Sequence, residues 1–508
     1  MRILYIDIDT LRPDHLGCYG YHRNTSPSVD RIAADGVCFD NVYASDAPCL
    51  PSRTAIFSGR FGIHTGVVDH GGIAADYFIE GPERGFRSTL GDTCWMTGLR
   101  ERGYRTTSIS PFAERHSAWW FCAGFNEILN TGKRGGEIAD DVEPVVMDWL
   151  SRNAESDHWF LHVNLWDPHN PYRTPEAYGN PFADDPLPAW LTEEVRAEHW
   201  KGIGPESAQD TAEFQEVARD NLEKPHSWEM WPRQPIQMSS MHEVRRMFDG
   251  YDTGVRYADE VVGHIVERLQ AMGVYEDTAI IISSDHGENL GELNIYGCHM
   301  TADESTTCLP CIIRWPGVTE TMAGKTWKGL HYNVDVAATI LELAGGKIPA
   351  MWDGESFASS LQSGDDRGRN DLVVSHMAGV CQRSVRFEQY LCIRSYHDGY
   401  HGFPDVVLYD VENDPHMTMD LAQTMPGKVA EAMRRLDAWY ASAMASATTP
   451  QDPMWTVLHA GGPEHTRGCL ADYLRRLRST GRGDWADRLE QAHQKELKCP
   501  DLKGCKHE

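Results

Sequence analysis

The sequence has no excess of basic residues: Lys and Arg number 47 against 75 Asp and Glu, which gives a formal net charge of −28. A surface with this charge repels nucleic-acid phosphates and anionic lipid headgroups. Nucleic acid and membrane surfaces are therefore not expected as partners. An anionic substrate would have to be bound by a local pocket of cations that acts against the overall field.

Long hydrophobic runs are also missing, and no secretory leader is expected. The chain opens with MRILYIDIDT, a strand pattern without the apolar region and small-residue cleavage site of a signal peptide. No window reaches the apolar length of a membrane span, and we expect a cytoplasmic protein. The 13 cysteines fit a reducing compartment as free, mostly buried thiols. Only Cys499 and Cys505 have a spacing that suits a disulfide or a metal site.

The sequence does contain a regular alternation of strand and helix patterns. The strand patterns RILYIDIDT, HWFLHVNLWDP and DTAIIISSDHG alternate with helix patterns such as VEPVVMDWLSRN and VDVAATILELAGG. Such alternation predicts βαβ units, and a near-continuous apolar strand is typical of the centre of a parallel sheet. The predicted fold class is α/β, with a large, mostly parallel sheet sandwiched by helices.

The pattern divides the chain into three parts. Residues 1–370 form the predicted large α/β domain, and within it residues 171–242 lose their periodicity and are interpreted as a lid-like insertion. Residues 371–445 show antiparallel strand patterns and a helix, which predict a smaller C-terminal α+β domain. Residues 446–508 form a helical tail that could cover a neighbouring subunit, so a homo-oligomer stays open.

Acidic residues and histidines end three of the predicted strands. These residues are Asp7 and Asp9, Asp167 and His169, and Asp285 and His286. Parallel sheets place their ligand sites at such strand ends. Carboxylates that converge from separate strands favour a hard divalent cation, Ca²⁺ or Mg²⁺. For each residue taken alone, a helix cap or a turn is the alternative interpretation.

A cysteine motif begins the predicted helix CLPSRTAIFSGR. Cys49, Arg53 and the residues between them match the C-x-P-S-R pattern of type I sulfatases, and the stretch closes with Gly-Arg after Ser58, where the family usually has Thr. The chain therefore resembles this formylglycine-dependent, arylsulfatase-like family of the alkaline phosphatase-like superfamily. SSDHGENLGE resembles the family's second metal segment, and VVLYDVENDP is similar to its C-terminal domain.

The resemblance implies a sulfatase that hydrolyses an organic sulfate monoester, with arylsulfatase-type activity, after Cys49 has been oxidised to formylglycine. One hydroxyl of the hydrated aldehyde would attack sulfur and the other would lose its proton to expel sulfate, which splits one difficult step into two. Arg53 would orient this side chain and offset developing charge. A formylglycine-generating maturation enzyme is the implied partner. An unmodified thiol is nucleophilic only as its thiolate, and a position at a helix start is expected to help it toward that form. The alternative is a buried structural cysteine with Arg53 in a surface ion pair.

The resemblance also implies a set of metal ligands: Asp9, Cys49 as formylglycine, Asp285 and His286. The family usually has two adjacent acidic residues where this chain has an aspartate followed by a threonine. Asp7 lies two residues back on the same strand face and either replaces the missing carboxylate or lies under it. His286 stands where many relatives have Asn. A neutral imidazole among oxygen ligands lowers the number of anionic ligands, so Ca²⁺ is favoured while Mg²⁺ and Mn²⁺ stay open.

Four residues are predicted to handle the sulfate group. His169 matches the family's histidine near the leaving oxygen, where it can act as a general acid. His299 stands where many relatives have a lysine, and would make binding sensitive to pH near neutrality. Arg115 and His116 are the predicted substitutes for an absent Lys-x-His pair, although Arg115 could also be a surface residue. His64 is interpreted as structural.

Two other functions and several substrates stay open. A phosphonate or phosphate monoester hydrolase of the same superfamily would use the same scaffold and cation, and a non-catalytic binding protein could keep the fold. Sulfated glycans, aryl or steroid sulfates and small aliphatic sulfates all fit, with small molecules favoured in the cytoplasm. Several tryptophans could stack on a sugar or aryl ring, or pack in the core or lid: Trp119, Trp120, Trp166, Trp228 and Trp231.

Overall fold

The computed structural model describes residues 1–212 and 231–497. The strands in this part of the chain are β1 (Arg2–Ile8), β2 (Val37–Tyr43), β3 (Asp46–Ala47), β4 (Arg105–Ile109), β5 (Glu127–Leu129), β6 (Trp159–Leu165), β7 (Thr278–Ser283), β8 (Asn289–Leu290), β9 (Tyr296–Cys298), β10 (Cys308–Arg314), β11 (Lys325–Trp327), β12 (His331–Tyr332), β13 (Asp371–His376), β14 (Cys381–Phe387), β15 (Tyr390–His397) and β16 (Val406–Asp410). The α-helices are α1 (Pro27–Asp35), α2 (Cys49–Ser58), α3 (Gly62–Thr65), α4 (Thr89–Thr93), α5 (Trp95–Glu101), α6 (Phe112–Arg115), α7 (Ala139–Asn153), α8 (Glu193–His199), α9 (Met241–Ala271), α10 (Glu304–Thr307), α11 (Asn333–Leu343), α12 (Ala358–Ser363), α13 (Pro426–Ser446), α14 (Pro453–His459), α15 (Leu470–Ser479), α16 (Gly483–Ala492) and α17 (Gln494–Leu497).

The large sheet has nine strands among the described residues, in the order β11-β2-β10-β7-β1-β6-β4-β5, with β12 beside β2. The central strand β1 is parallel to both β6 and β7. Only β10 runs antiparallel to its neighbours β7 and β2 in the described sheet. The predicted mostly parallel α/β sheet is confirmed. The direction of β10 was not predictable, because a strand buried on both faces has the same apolar pattern either way.

Helices cover both faces of this sheet. One core contains residues of α1, α7 and α9, and the other contains residues of α2, α5 and α11. Side chains of β1 alternate between them: Leu4 belongs to the first core, and Ile3 and Tyr5 belong to the second. By the same alternation, Asp7 lies on the face covered by α2, which places it and the following Asp9 near the motif helix.

The smaller sheet has the order β16-β15-β14-β13-β3. Its edge strand β3 comes from the N-terminal part of the chain and pairs in parallel with β13, Asp46 opposite Ser375 and Ala47 opposite His376. Helix α13 packs against this sheet through Ala432. Because β3 ends just before the motif helix, the smaller sheet fixes the entry to α2. The division of the chain at residue 370 stays a prediction.

The predicted lid lies only partly within the described residues. Its described parts contain α8 and the first residues of α9, whereas residues 213–230, with Trp228, lie outside. Cys499 and Cys505 lie outside as well. The eleven cysteines in the described residues are free thiols, as predicted. None of the helices in residues 1–212 and 231–497 combines the length and the apolar character needed to cross a bilayer.

The C-terminal tail packs against the rest of the molecule through buried charges. Asp210 of the predicted lid accepts hydrogen bonds from Arg476 (2.7 Å) and Arg482 (2.8 Å) of the tail. These groups are nearly inaccessible to solvent. The tail therefore holds the middle of the predicted lid segment in place.

A second tail contact surrounds His493. Its Nε2 lies 2.8 Å from Asp398 Oδ1, and its Nδ1 lies 2.6 Å from Glu496 Oε1. Burial lowers the pKa of His493, but hydrogen bonds and charge from the two carboxylates outweigh it and raise the pKa to about 9. The protonated ring links the part of the tail between α16 and α17 to the turn after β15.

Candidate active site

The motif helix α2 places Cys49 inside the protein. All ten residues of α2 are buried, and Cys49, its first residue, is only 1% exposed. The helix ends at Gly59 with φ of 72°, a left-handed conformation that favours glycine. Ser52 donates a hydrogen bond of 2.6 Å to the backbone carbonyl of Asp285. This contact ties the first turn of α2 to the end of β7.

Arg53 is the cation around which three carboxylates gather. Its Nε and Nη2 donate to Asp7 at 2.7 and 3.2 Å, and its Nη1 donates to Asp9 at 2.9 Å. The same Nη1 lies 2.7 Å from Asp285 Oδ2. The guanidinium is 1% exposed and also lies against the Trp166 ring. One buried cation for three carboxylates leaves a deficit of positive charge at this strand edge.

Both carboxylate oxygens of Asp7 have hydrogen-bond partners within the protein. Both of its oxygens accept hydrogen bonds from Arg53, and Oδ2 also lies 3.4 Å from His162 Nε2. Burial raises the pKa of Asp7, but the charge and hydrogen bonds of Arg53 and His162 outweigh it and lower the pKa to about 2. Of the two roles considered for Asp7, this placement favours a carboxylate that lies under the site.

Two other buried acceptors at the same edge, Asp9 Oδ1 and His286 Nε2, make no hydrogen bond to any described residue, whereas Asp285 Oδ2 forms an ion pair with Arg53 there. Ligand atoms of Cys49, Asp285 and His286 all lie within 4.8 Å of one another. Burial raises the pKa of Asp285 to about 7. Unpartnered buried polar atoms are costly, and a divalent cation would satisfy this donor set. Thr10 Oγ1, next to Asp9, is likewise buried without a hydrogen bond to the described residues.

Two imidazole rings flank the Cys49 sulfur. The Nε2 atoms of His70 and His116 each lie 3.5 Å from Sγ. Burial, followed by the charges of Asp9 and Asp285, raises the pKa of the Cys49 thiol to about 12. The expectation that the helix start helps the thiol toward its thiolate is therefore wrong. Loss of solvation and two nearby carboxylates outweigh the helix terminus.

His169 and His299 lie together beside His286. The His299 ring centroid is 4.2 Å from that of His286 and 5.2 Å from that of His169. His169 Nδ1 donates to the Asn170 carbonyl, and His299 Nδ1 lies 3.0 Å from Glu288. Burial lowers the pKa of His169 to about 3 and holds that of His299 well below its usual range. The expected titration of His299 near neutrality is therefore wrong for this buried ring.

Arg115 and His116 both lie at the site. The Arg115 guanidinium lies 4.9 Å from the centroid of the Trp166 ring, and its Nε is buried without a hydrogen bond to the described residues. Burial, then the charges of Arg115 and Arg53, holds the pKa of His116 well below its usual range. The alternative of a solvated surface position for Arg115 does not fit this placement. Trp120 and Trp166 are buried, in line with packing.

Two histidines that lie near Cys49 were not predicted from the sequence. His70, in the loop after α3, touches Cys49, and His465 of the tail lies 2.9 Å from His70. The short distance in sequence between His70 and the motif was a usable signal. Nothing in the local sequence marks His465. His64 is buried and uses both nitrogens on Asp353 and the Ala443 carbonyl, as expected of a structural histidine.

Comparisons with known proteins agree with this geometry. The family model described as Sulfatase matches residues 2–346, and the model described as N-sulphoglucosamine sulphohydrolase, C-terminal, matches residues 291–437. The ulvan-active sulfatase of Formosa agariphila is 22% identical over 407 residues, covering 77% of this chain and 72% of that protein. The choline-sulfatase of Rhizobium meliloti is 25% identical over 452 residues, covering 80% and 79%.

Solved structures share the fold. The structure of BT4656 in complex with its substrate D-glucosamine-2-N,6-O-disulfate has a TM-score of 0.68 at 20% identity, covering 89% of this chain and 99% of that one. The phosphonate monoester hydrolase of Agrobacterium radiobacter has a TM-score of 0.61 at 18% identity, covering 87% and 96%. The chain thus shares the fold of these sulfatase and phosphonate monoester hydrolase structures.

Proposed function

The chain belongs to the sulfatase family and is a sulfuric ester hydrolase, and on that premise we propose that it cleaves an organic sulfate monoester with a formylglycine made from Cys49 and a bound divalent cation. The proposal rests on one observation above all. The Cys49 side chain and the Asp285 and His286 ligand atoms converge at the sheet edge where Asp9 Oδ1 and His286 Nε2 make no hydrogen bond to the described residues.

The state of the Cys49 thiol supports its modification. With a pKa of about 12 the thiol is protonated at neutral pH, and a thiol is a poor nucleophile in that form. A hydrated aldehyde carries hydroxyl groups and needs no thiolate. Because every residue of α2 is buried, a maturation enzyme would have to act before the segment folds.

The cation would be held by Asp9, Asp285 and His286 together with the modified Cys49. Carboxylate oxygens favour a hard cation, and the single imidazole keeps Mg²⁺ and Mn²⁺ open beside the preferred Ca²⁺. When bound, such an ion polarises the sulfate oxygens and offsets the charge of the carboxylates. Arg53 keeps the carboxylates in place, with Asp7 as its counter-charge beneath them.

Arg115, His116 and His299 are the proposed contacts to the sulfate group, and His169 is the proposed donor to the leaving oxygen. His169 needs a second proton for this role, because its neutral ring carries its hydrogen on Nδ1, against the Asn170 carbonyl. An anion that binds next to the ring favours the charged imidazolium and raises its pKa. Substrate binding would thus prepare the acid.

The proposed substrates are organic sulfate esters of more than one chemical class. The named relatives include an ulvan-active sulfatase and a choline-sulfatase, so glycan and small aliphatic esters are both represented. We expect measurable arylsulfatase-type turnover of a synthetic aryl sulfate. The alternative is phosphonate or phosphate monoester hydrolysis, which the shared fold of the phosphonate monoester hydrolase supports.

Mass spectrometry of the Cys49 peptide, from protein co-expressed with a maturation system, should show loss of the thiol and gain of an aldehyde. On the same protein, Cys49→Ala should lower turnover of an aryl sulfate by more than about 10³-fold. The matched control is Cys392→Ala, which removes a buried thiol of β15 in the core between the smaller sheet and α13. Unchanged turnover in Cys49→Ala would refute the mechanism, and a higher kcat/KM for an aryl phosphonate would favour the alternative.

A further inference from the structure

A histidine of the C-terminal tail reaches the nucleophile position through a second histidine. His465 Nε2 lies 2.9 Å from His70 Nδ1, and His70 Nε2 lies 3.5 Å from Cys49 Sγ. The two imidazole rings meet edge to face, with centroids 5.0 Å apart and planes at 70°. The three residues form a continuous line of polar contacts from the tail to the site.

This part of the tail is held firmly. The backbone N–H of His465 donates to the Ala378 carbonyl at 3.1 Å. Arg467 donates from Nη2 to Asp69 Oδ2, also at 3.1 Å, and Asp69 is fully buried. Because Asp69 directly precedes His70, both partners of the histidine pair are fixed by their own neighbours. The contact is therefore built into the fold.

The contact between two ring nitrogens needs one donor and one acceptor. In its neutral form, each ring has a single N–H. If His465 donates from Nε2, the proton of His70 lies on its own Nε2 and faces the Cys49 side chain. If His465 Nε2 instead accepts a hydrogen bond from His70 Nδ1, then His70 Nε2 has no proton and faces the Cys49 side chain as an acceptor.

A sulfate group presents acceptor oxygens only, so it requires donors around it. Asp9 and Asp285 already supply acceptors beside Cys49, and another acceptor from His70 would repel the anion. The arrangement in which His465 donates is the one that suits a sulfate ester.

We propose that His465 is a positioning residue that donates to His70 and thereby keeps the His70 Nε2–H directed at the sulfate group of the substrate. The inference rests on the proposed function, since it assigns His70 as a further substrate-binding donor at the same site. It also makes the C-terminal tail a part of the substrate site.

Three substitutions of His465 test whether its side chain donates a hydrogen bond to His70 or accepts one. Gln can donate an amide N–H, Glu has a similar shape but only accepts when ionised, and Ala does neither. We expect His465→Ala to raise KM for an aryl sulfate about 10- to 100-fold with a smaller change in kcat, and His465→Gln to stay within about threefold. His465→Glu should be at least as impaired as His465→Ala. The matched control is His459→Ala, which removes an exposed histidine of the same tail.

A second measurement does not depend on turnover. Inorganic sulfate should raise the Tm of the wild type and of His465→Gln more than that of the Ala and Glu variants. If the matured wild type turned over no sulfate ester, the proposed function would fail, and this binding measurement would still decide the role of His465.

Several results would overturn the inference. His465→Ala could match His459→Ala in KM and in its response to sulfate, or His465→Glu could retain activity that His465→Gln loses. The double variant His70→Ala/His465→Ala should be no worse than His70→Ala, because His465 acts through His70. Additive losses, or a lower Tm with unchanged KM, would show a purely structural role.

Discussion

Replacing Asp7 by asparagine tests whether this carboxylate is the counter-charge of Arg53 or a ligand of the cation. Burial raises the pKa of Asp7, yet Arg53 and His162 outweigh it and lower the pKa from 3.8 to about 2. That lowering corresponds to about 2.5 kcal/mol in favour of the charged form in the folded protein. Asparagine keeps the shape but turns an N–H₂ group toward other donors. We expect Asp7→Asn to lower the free energy of unfolding by about 2–3 kcal/mol at neutral pH.

The assay is urea unfolding of both proteins over a range of pH, with divalent cation content measured by elemental analysis. Because the folded pKa of Asp7 lies below the unfolded value, the advantage of the wild type is complete above pH 3.8 and is lost as pH falls toward about 2. Asp7→Asn should retain its cation. Asp9→Asn, which alters a carboxylate with one unpartnered oxygen among the described residues, should lose it.

Two results would refute this reasoning. Loss of the cation from Asp7→Asn to the same extent as from Asp9→Asn would show that Asp7 is a ligand. Unchanged unfolding with the cation retained would show that the two hydrogen bonds from Arg53 contribute nothing to stability.

Two further predictions concern the tail and the motif helix. Because the pKa of His493 is raised, its contact with two carboxylates stabilises the tail fully below pH 6.5, and this stabilisation is lost as pH rises through about 9. Limited proteolysis of the tail should therefore increase over that range in the wild type. An equal increase in His493→Gln would contradict this prediction. Gly59→Ala would place a Cβ 2.0 Å from the Trp352 ring at φ of 72°, and should lower the free energy of unfolding by more than about 3 kcal/mol. The control is Gly20→Ala, whose Cβ would meet nothing within 4 Å and which should lower it by about 1 kcal/mol. Equal losses of Tm in the two glycine variants would contradict the steric argument.

The parts of the site that lie within one short segment were predictable. Asp9 and Asp285 each follow an apolar strand, and parallel strands bring their carboxyl ends to one edge. The motif from Cys49 to Arg53 has a fixed spacing at a helix start. The large α/β sheet followed from the period of the apolar residues, which is a local property.

Other features depended on partners that come from far along the chain. The strand β3 joins the smaller sheet through β13, some 300 residues later in the sequence, and His465 reaches His70 only because the tail folds back. Asp7 and Asp9 look equivalent in sequence, but Arg53 takes both oxygens of the first and leaves one oxygen of the second without a described partner.

The sequence by itself determined the family resemblance, the position of the proposed nucleophile and the edge of the sheet at which the candidate site lies. Tertiary structure alone decided the burial of Cys49 and His299, the hydrogen-bond partners of Asp7 and the contact of the tail with His70. The physical reason is that charge and hydrogen bonding in a buried site depend on solvent exclusion and on neighbours only a few ångströms away. Strand and helix periodicity records neither of these.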